Sequence, residues 1–490
     1  MPSIEQLRIC GAQIVDLSTV LILVPLPLFA LLIPILGQLI RRSGRDLVPC
    51  LATGGLVVSL GAALVMLLQN QPRPVFVYDA LEIDPFSLFF AVVFLFISTL
   101  VSVTSTSYTK QAVSPITYYS LLLFSTFGMM LVALSVDLVV LFISWELMSI
   151  PTYVLTGILK KDPKSNEAAL KYFLTSALSS GLLIYAISLI FGVTGSTNII
   201  TISGTLISQK LVLKPIAILA IALFVAGFGM KVAAVPFHMW IPDAYEGAPT
   251  TIAALLAAGT KAGGFAALLR VFVIGLVFFK TEWSVIFAVI ALLTMTLGNL
   301  GALMQKSFTR LLAYSSIAQS GYVMIGLAAA TQLGAEGTLF HILNHSVMKA
   351  AAFLAAAAVL MKLSTTSLGG YSGLGKRMPY TAFALSISLL GLAGVPPLSG
   401  FMSKLILFTA AVDSHLYWLA LAGVLNSAFS LAYYGWVIKR MYLDEANDTS
   451  AVTEPRAFVG VLALLTAITV VVGIYPEPFI SLMLRIALWL

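Results

Sequence analysis

Seven ionisable residues lie where an apolar chain has no ordinary use for charge. Glu146 stands in LFISWELMSIPTYVL, Lys231 in GFGMKVAAVPF, Lys261 in LLAAGTKAGGF and Lys404 in GFMSKLILF. His341, His345 and Lys349 follow at intervals of four in LFHILNHSVMKAAAF. A lysine at the bilayer centre costs about 2.5–3.5 kcal/mol on insertion scales, and intramembrane charges generally mark an ion pathway. The spacing of four puts both histidines and Lys349 on one helical face. Histidines titrate near neutral pH, so such a stripe suits proton transfer. Two histidines at i and i+4 can also hold zinc, but neither an HExxH glutamate nor a third ligand accompanies them. No metal is expected.

Each residue also has a plainer reading. Glu146 can be a protonated carboxyl bonded to a neighbouring helix, Lys231 and Lys261 can be members of structural ion pairs, and the histidines can be packed and satisfied. Lys231 is too far from either end of its helix to snorkel easily, and Glu146 is the one buried carboxylate available to it between residues 111 and 280. In contact at about 4 Å, with an effective dielectric near 20, the two attract by roughly 4 kcal/mol. Arg270 lies nearer a helix end and is expected to snorkel. Asp137, in SVDL, reads as a helix N-cap. His238 can equally cap structure or pass protons.

The elements that must position these groups are membrane helices. The chain is 60% hydrophobic and 10% charged over 490 residues, with a mean hydropathy of +1.02. A soluble fold cannot hide that much apolar surface, and the long unbroken runs exclude an alternating porin-type barrel. About fourteen segments have the length of one crossing: 18–40, 47–68, 85–107, 116–136, 138–159, 168–191, 213–238, 250–278, 284–304, 310–331, 336–362, 379–410, 414–441 and 457–487. The expected fold is an all-α polytopic membrane protein with no soluble domain. No cleavable signal peptide is expected, because the first segment carries Glu5 and Asp16 and lacks a basic leader. Cys10 and Cys50 have no metal spacing around them and imply no disulfide.

With the N-terminus outside, sixteen of the 27 basic residues fall in inner loops, among them Arg41, Arg42, Lys160, Lys161, Lys306 and Arg310. Six fall outside: Arg8, Arg73, Lys210, Lys214, Lys280 and Arg485. That asymmetry places both termini on the outer side. The net charge of +7 is spread over such loops, so no nucleic-acid surface is implied.

Two helices should break. The seventh carries Pro236 after Lys231, and the twelfth carries GLAGVPPLSGFMSK. Proline removes a backbone donor and clashes with the preceding turn, so such breaks persist only inside protein or beside a wet cavity. Interrupted segments at corresponding positions point to an inverted repeat with its site near the midplane. The division is 1–110 for helices 1–3, 111–280 for a first five-helix repeat, 281–443 for a second, inverted one, and 444–490 for helix 14.

SWELMSIPTYVL, KVAAVPFHMWIPDAYEGAPT, TKAGGFAALLRVF, LLAYSSIAQSGYVMIGL and GVPPLSGFMSKLILF resemble the antiporter-like membrane subunits of respiratory complex I and its relatives, over most of the chain. PDAYEGAPT and LLAYSSIAQSGY favour the N type, whereas HILNHSVMK is closer to the L, M and Mrp-antiporter subunits. The resemblance implies that Glu146, Lys231, Lys261 and Lys404 form a proton relay, with His341, His345 and Lys349 as further members. It implies no cofactor in this chain. Flavin, iron–sulfur clusters and a quinone-type acceptor belong to partner subunits in an energy-transducing membrane of the prokaryotic or thylakoid type. Those partners are other antiporter-like and small membrane subunits and a peripheral arm that oxidises NADH, ferredoxin or a reduced deazaflavin (F420H2). A subunit of an Mrp-type cation/proton antiporter is the alternative.

Overall fold

The computed structural model describes residues 17–39, 44–69, 75–77, 79–208, 214–445 and 450–490. Glu5, Cys10 and Asp16, and the topology signals at Arg8, Arg41, Arg42, Arg73 and Lys210, lie outside the described residues. The chain is almost entirely helical. In order it forms α1 (Leu17–Leu23), α2 (Pro25–Leu39), α3 (Gly44–Leu68), a hairpin of β1 (Val75–Val77) and β2 (Leu81–Ile83), then α4 (Pro85–Ala112), α5 (Pro115–Leu134), α6 (Leu138–Thr156), α7 (Pro163–Thr194), α8 (Ile199–Ser208), α9 (Lys214–Val232), α10 (Trp240–Gly247) and α11 (Thr250–Gly275). The second half continues with α12 (Lys280–Leu303), α13 (Phe308–Ala329), α14 (Gln332–Leu363), α15 (Pro379–Ala393), α16 (Ser399–Asp413), α17 (Tyr417–Tyr442), α18 (Arg456–Ile474) and α19 (Glu477–Ala487). Among the described residues, five helices, α2, α4, α5, α7 and α15, open on a proline, where the missing N–H costs no hydrogen bond. Asp137 caps α6 by accepting from the Val139 and Val140 amides.

Among the described residues, twelve helices are long and apolar enough to cross a membrane, or thirteen if α1 and α2, bent by 46°, are one span. The expected count of about fourteen is therefore not reached by unbroken helices. The segment expected at 379–410 is two half-helices, α15 and α16, each of 15 residues. The connection after Phe191 is not bare loop either, since it contains α8. α11 and α13 are buried along nearly all of their length, whereas α7 and α17 face mostly outward. Their outward side chains, such as Leu170, Leu174, Leu178, Leu421 and Leu425, are exposed hydrocarbon, as a lipid-facing surface requires.

Both anticipated breaks occur, and they close in the same way. α9 ends with Ala233 at φ 64° and α15 with Gly394 at φ 86°. In each, the left-handed residue bonds back three residues and its successor bonds back five: Ala233 N to Met230 O and Ala234 N to Gly229 O, then Gly394 N to Gly391 O and Val395 N to Leu390 O. This is the Schellman closure. Only the second uses glycine, which adopts that conformation without a Cβ penalty. Pro236 and Pro396 follow and prevent continuation.

The two halves share a second device. A Cβ on Gly128 of α5 would lie 2.3 Å from the Met148 backbone nitrogen of α6, and one on Gly298 of α12 would lie 2.5 Å from that of Ala318 in α13. In both halves the contacted residue follows its glycine by twenty positions. Glu146 stands two residues before Met148, and Ser316 two before Ala318.

Candidate functional site

Lys231, expected far from either end of its helix, lies instead in the last turn of α9, because the break falls at Ala233; it is nevertheless only 2% exposed. Its Nζ donates to the Tyr172 hydroxyl of α7 at 2.6 Å and the Ser149 hydroxyl of α6 at 2.9 Å. It also lies 5.0 Å from the Tyr172 ring centroid. Tyr172 stacks flat on Trp240 of α10 at 4.2 Å, and the Trp240 indole donates to the Met230 carbonyl at 2.9 Å. The Met230 carbonyl, which already accepts from Ala233 N in the closure, thus takes a second bond from the next helix. Glu146, half-buried, accepts from Ser180 Oγ at 2.5 Å. No direct ion pair joins Glu146 to Lys231. Ser149 and Tyr172 occupy the ammonium, because a hydroxyl can approach a buried cation without bringing a second desolvated charge with it. Their attraction is therefore below the roughly 4 kcal/mol expected for contact at about 4 Å.

Lys261 begins the middle section of α11, directly after a widened π-helical turn, Leu256–Thr260. Such turns free a carbonyl from the regular ladder and recur at functional sites. Here Ala258 O accepts from Ser346 of α14 at 2.9 Å. Lys261 Nζ donates to the carbonyl and hydroxyl of Ser316 in α13, at 2.8 and 2.7 Å. A packing gap too narrow to admit a water molecule adjoins it, lined by Gln319, Ser320 and His345 among others. His345 Nε2 is buried and has no hydrogen-bond partner. The expected face of α14 is intact, since His341, His345 and Lys349 are all buried and the two imidazoles lie parallel, 6.5 Å apart. Lys349 donates to Leu312 O at 3.0 Å and to Ser315 Oγ.

His341 bridges Ser403 Oγ at 2.9 Å and Gln319 Oε1 at 3.1 Å. Gln319 Nε2 donates to the Leu392 carbonyl at 2.9 Å, and Lys404 Nζ donates to the same carbonyl at 2.8 Å. Lys404 also reaches Ala393 O at 3.1 Å and Ser427 Oγ at 2.9 Å, and lies 4.3 Å from the Tyr322 ring centroid. The ammonium therefore sits on the carbonyl end of α15, the negative pole of that half-helix.

One charged group departs from expectation. Arg270 does not snorkel. It is 1% exposed and forms a two-pronged pair with Asp84, at 2.8 Å on each side, with its guanidinium 4.5 Å from the Phe86 ring centroid. Asp84 also caps α4 through the Ser87 amide at 2.7 Å. His238 lies half-buried between α9 and α10, and its Nδ1 makes no hydrogen bond. On α10, Asp243 accepts from Lys171 of α7 at 2.8 Å and from Arg310 of α13 at 2.7 Å, and Glu246 accepts from Arg310 at 3.1 Å. Partial burial pushes the Asp243 carboxyl up, but the Lys171 and Arg310 hydrogen bonds outweigh it and hold it below its ordinary value.

Sequence reasoning missed the lysine partners Ser149, Tyr172 and Ser316, and it missed Gln319, which links His341 to the Leu392 carbonyl. A signal existed for the α13 pair, since Ser316, Gln319 and Ser320 stand at i, i+3 and i+4 in YSSIAQSGY and share a helical face. Tyr172 and Ser149 carry no such signal.

Residues 135–430 match the family model described as NADH:quinone oxidoreductase/Mrp antiporter, transmembrane. The chain is 41% identical to the F420H2 dehydrogenase subunit N of Methanosarcina mazei over 423 residues, covering 84% of this chain and 85% of that one. It is 41% identical to the NADH-quinone oxidoreductase subunit N of Trichlorobacter lovleyi over 404 residues, 81% and 82% of the two chains. It superposes on a chain of respiratory complex I from Thermus thermophilus with a TM-score of 0.79 and 27% identity, covering 94% of this chain and 98% of that one.

Proposed function

Because this chain belongs to the NADH:quinone oxidoreductase/Mrp antiporter family of transmembrane proteins, we propose that it is a proton-translocating, N-type membrane subunit of a complex I-like oxidoreductase. The redox chemistry takes place in other subunits. A peripheral arm oxidises NADH, F420H2 or ferredoxin with flavin and iron–sulfur clusters and reduces a quinone-type acceptor, while neighbouring antiporter-like and small membrane subunits flank this one in an energy-transducing membrane. The two units at 111–280 and 281–443 are inverted repeats, a reading supported by their shared glycine spacing and identical break closure. Both termini lie on the outer side.

The observation that carries the reading is the sequence of buried polar groups across the molecule. Lys231 rests on Tyr172 and Ser149, Lys261 on Ser316, and His345, which lines the narrow gap beside Lys261, lies 6.5 Å from His341 ring to ring. Gln319 and the Leu392 carbonyl then connect His341 to Lys404. Every lysine ends on neutral oxygen, so each ammonium can release its proton without leaving an unpaired carboxylate beside it. Moving the Glu146 carboxylate towards or away from Lys231 changes how firmly that proton is held. A proton moved outward against 100 mV costs about 2.3 kcal/mol. A change of a few kcal/mol in the Glu146–Lys231 attraction is of that order. Lys349, on Ser315 beside Ser316, is a reserve member of the same relay.

The test is proton pumping by sealed vesicles containing the assembled complex. Lys231→Ala and Glu146→Gln are expected to assemble and to pump poorly, and full pumping by Lys231→Ala refutes the relay. The HILNHSVMK helix favours one other reading, an Mrp-type cation/proton antiporter subunit. Sodium-dependent proton exchange with no electron donor present would select it, as would antiporter subunits rather than dehydrogenase subunits co-purifying in mild detergent.

A further inference from the structure

One short helix touches the partners of two relay lysines at once. On the buried face of α10, Trp240 lies flat against Tyr172, the phenol that accepts from Lys231. Tyr245, edge-on to Trp240 at 6.3 Å, faces Ser316, which accepts from Lys261. The more exposed face carries Asp243 and Glu246. Asp243 holds Lys171, the residue next to Tyr172, and Arg310, on the helix that carries Ser316. α10 therefore grips α7 by the Asp243 ion pair near the surface and by Trp240 beside the Lys231 partner, and it grips α13 by the Asp243 and Glu246 ion pairs to Arg310 and by Tyr245 beside the Lys261 partner. The register of the breaks adds an independent observation. Counted from the left-handed residue that closes each break, Asp243 is tenth after Ala233 and Lys404 is tenth after Gly394. The place that holds a relay lysine in the second half holds Asp243 in the first.

We infer that Asp243 is a positioning residue that couples Lys231 to Lys261. Its two ion pairs hold α10 so that Tyr172 stays on Lys231 and Ser316 on Lys261 together, and neither lysine changes partners without shifting the other's. The inference rests on the relay reading above. It requires no proton to pass through Asp243 itself, which lies away from the buried hydroxyls and among Lys171, Glu167, Arg310 and Glu246.

The experiment uses the whole complex in inverted membrane vesicles, with NADH, reduced F420 and reduced ferredoxin supplied in turn. Acidification is read by quenching of an acridine dye and normalised to assembled complex. Asp243→Asn is expected to lower proton translocation per complex by about fivefold or more, the lower end of coupling factors between sites. Asp243→Glu is expected to recover most of it. A residue acting through Tyr172 predicts non-additivity, so Asp243→Asn should cost little further in a Tyr172→Phe background. Arg310→Gln removes the clamp from the other helix and should reproduce the loss, which keeps the test decisive if Asp243→Asn does not assemble. Wild-type translocation by Asp243→Asn or Arg310→Gln overturns the inference, as does full additivity with Tyr172→Phe. Lys231→Ala, run alongside, separates the two failures. If it pumps fully, the relay itself is wrong. If it is dead while Asp243→Asn is normal, only the coupling is wrong.

Discussion

Removing one member of the Arg270–Asp84 pair is the sharpest structural perturbation available in this chain. Both side chains are 1% exposed, and both guanidinium nitrogens facing the carboxylate are at 2.8 Å. Arg270→Met leaves the Asp84 carboxylate buried with the Ser87 amide as its remaining partner in the α4 cap. Asp84→Asn keeps a good cap residue and leaves the guanidinium unpaired. Breaking a buried pair from one side costs about 3–5 kcal/mol, a factor of roughly 10² to 10⁴ in the folded-to-unfolded ratio at 1.36 kcal/mol per tenfold. The double variant removes both charges and retains the cap, and replacing a buried pair by neutral groups is often close to neutral. Each single variant should therefore be markedly less stable than the double. The assay is unfolding of the purified subunit in mixed detergent, followed by tryptophan emission. Single variants within about 1 kcal/mol of wild type would refute the reasoning, since that is the worth of an exposed pair. A double variant as unstable as the singles would also refute it.

Gln319→Leu fills similar volume but cuts the bridge from His341 to the Leu392 carbonyl. Translocation should fall while assembly persists, as measured by vesicle acidification per complex. Gly128→Ala and Gly298→Ala each force a methyl into a neighbouring backbone. Each should cost about 1–3 kcal/mol of overpacking or more, visible as a lower unfolding midpoint, whereas Gly460→Ala, with open space around it, should be neutral. The Asp243 carboxyl is held below its ordinary value, so the clamp's contribution is complete above the unfolded-state value of about 3.9 and is lost only as pH falls below it. Thermal inactivation of wild type and Asp243→Asn should accordingly differ at neutral pH and converge towards pH 3.

The sequence by itself determined the class of fold and the costly residues. Twenty-residue apolar runs can only be membrane helices, and a charge inside one needs a reason, so Glu146, Lys231, Lys261 and Lys404 stand out without any coordinates. Pro236 and the GVPP segment dictate breaks because proline cannot continue the hydrogen-bond ladder, and the fourfold spacing in α14 fixes a shared face. What the tertiary structure decided was partnership. Ser149, Tyr172, Ser316 and Gln319 are too ordinary to be noticed in a helix, and they matter because packing brings each to an ammonium or a freed carbonyl. Arg270 and Asp84 are 186 residues apart, and nothing local distinguishes a buried guanidinium from one that reaches for the interface. Glu146 and Lys231 are legible as a charge pair, but Ser149, on the same helix as Glu146, and Tyr172 of α7 take up the ammonium instead. Local periodicity carries which face a residue is on. Which helix lies against that face is set by long-range packing, and so is the chemistry of each contact.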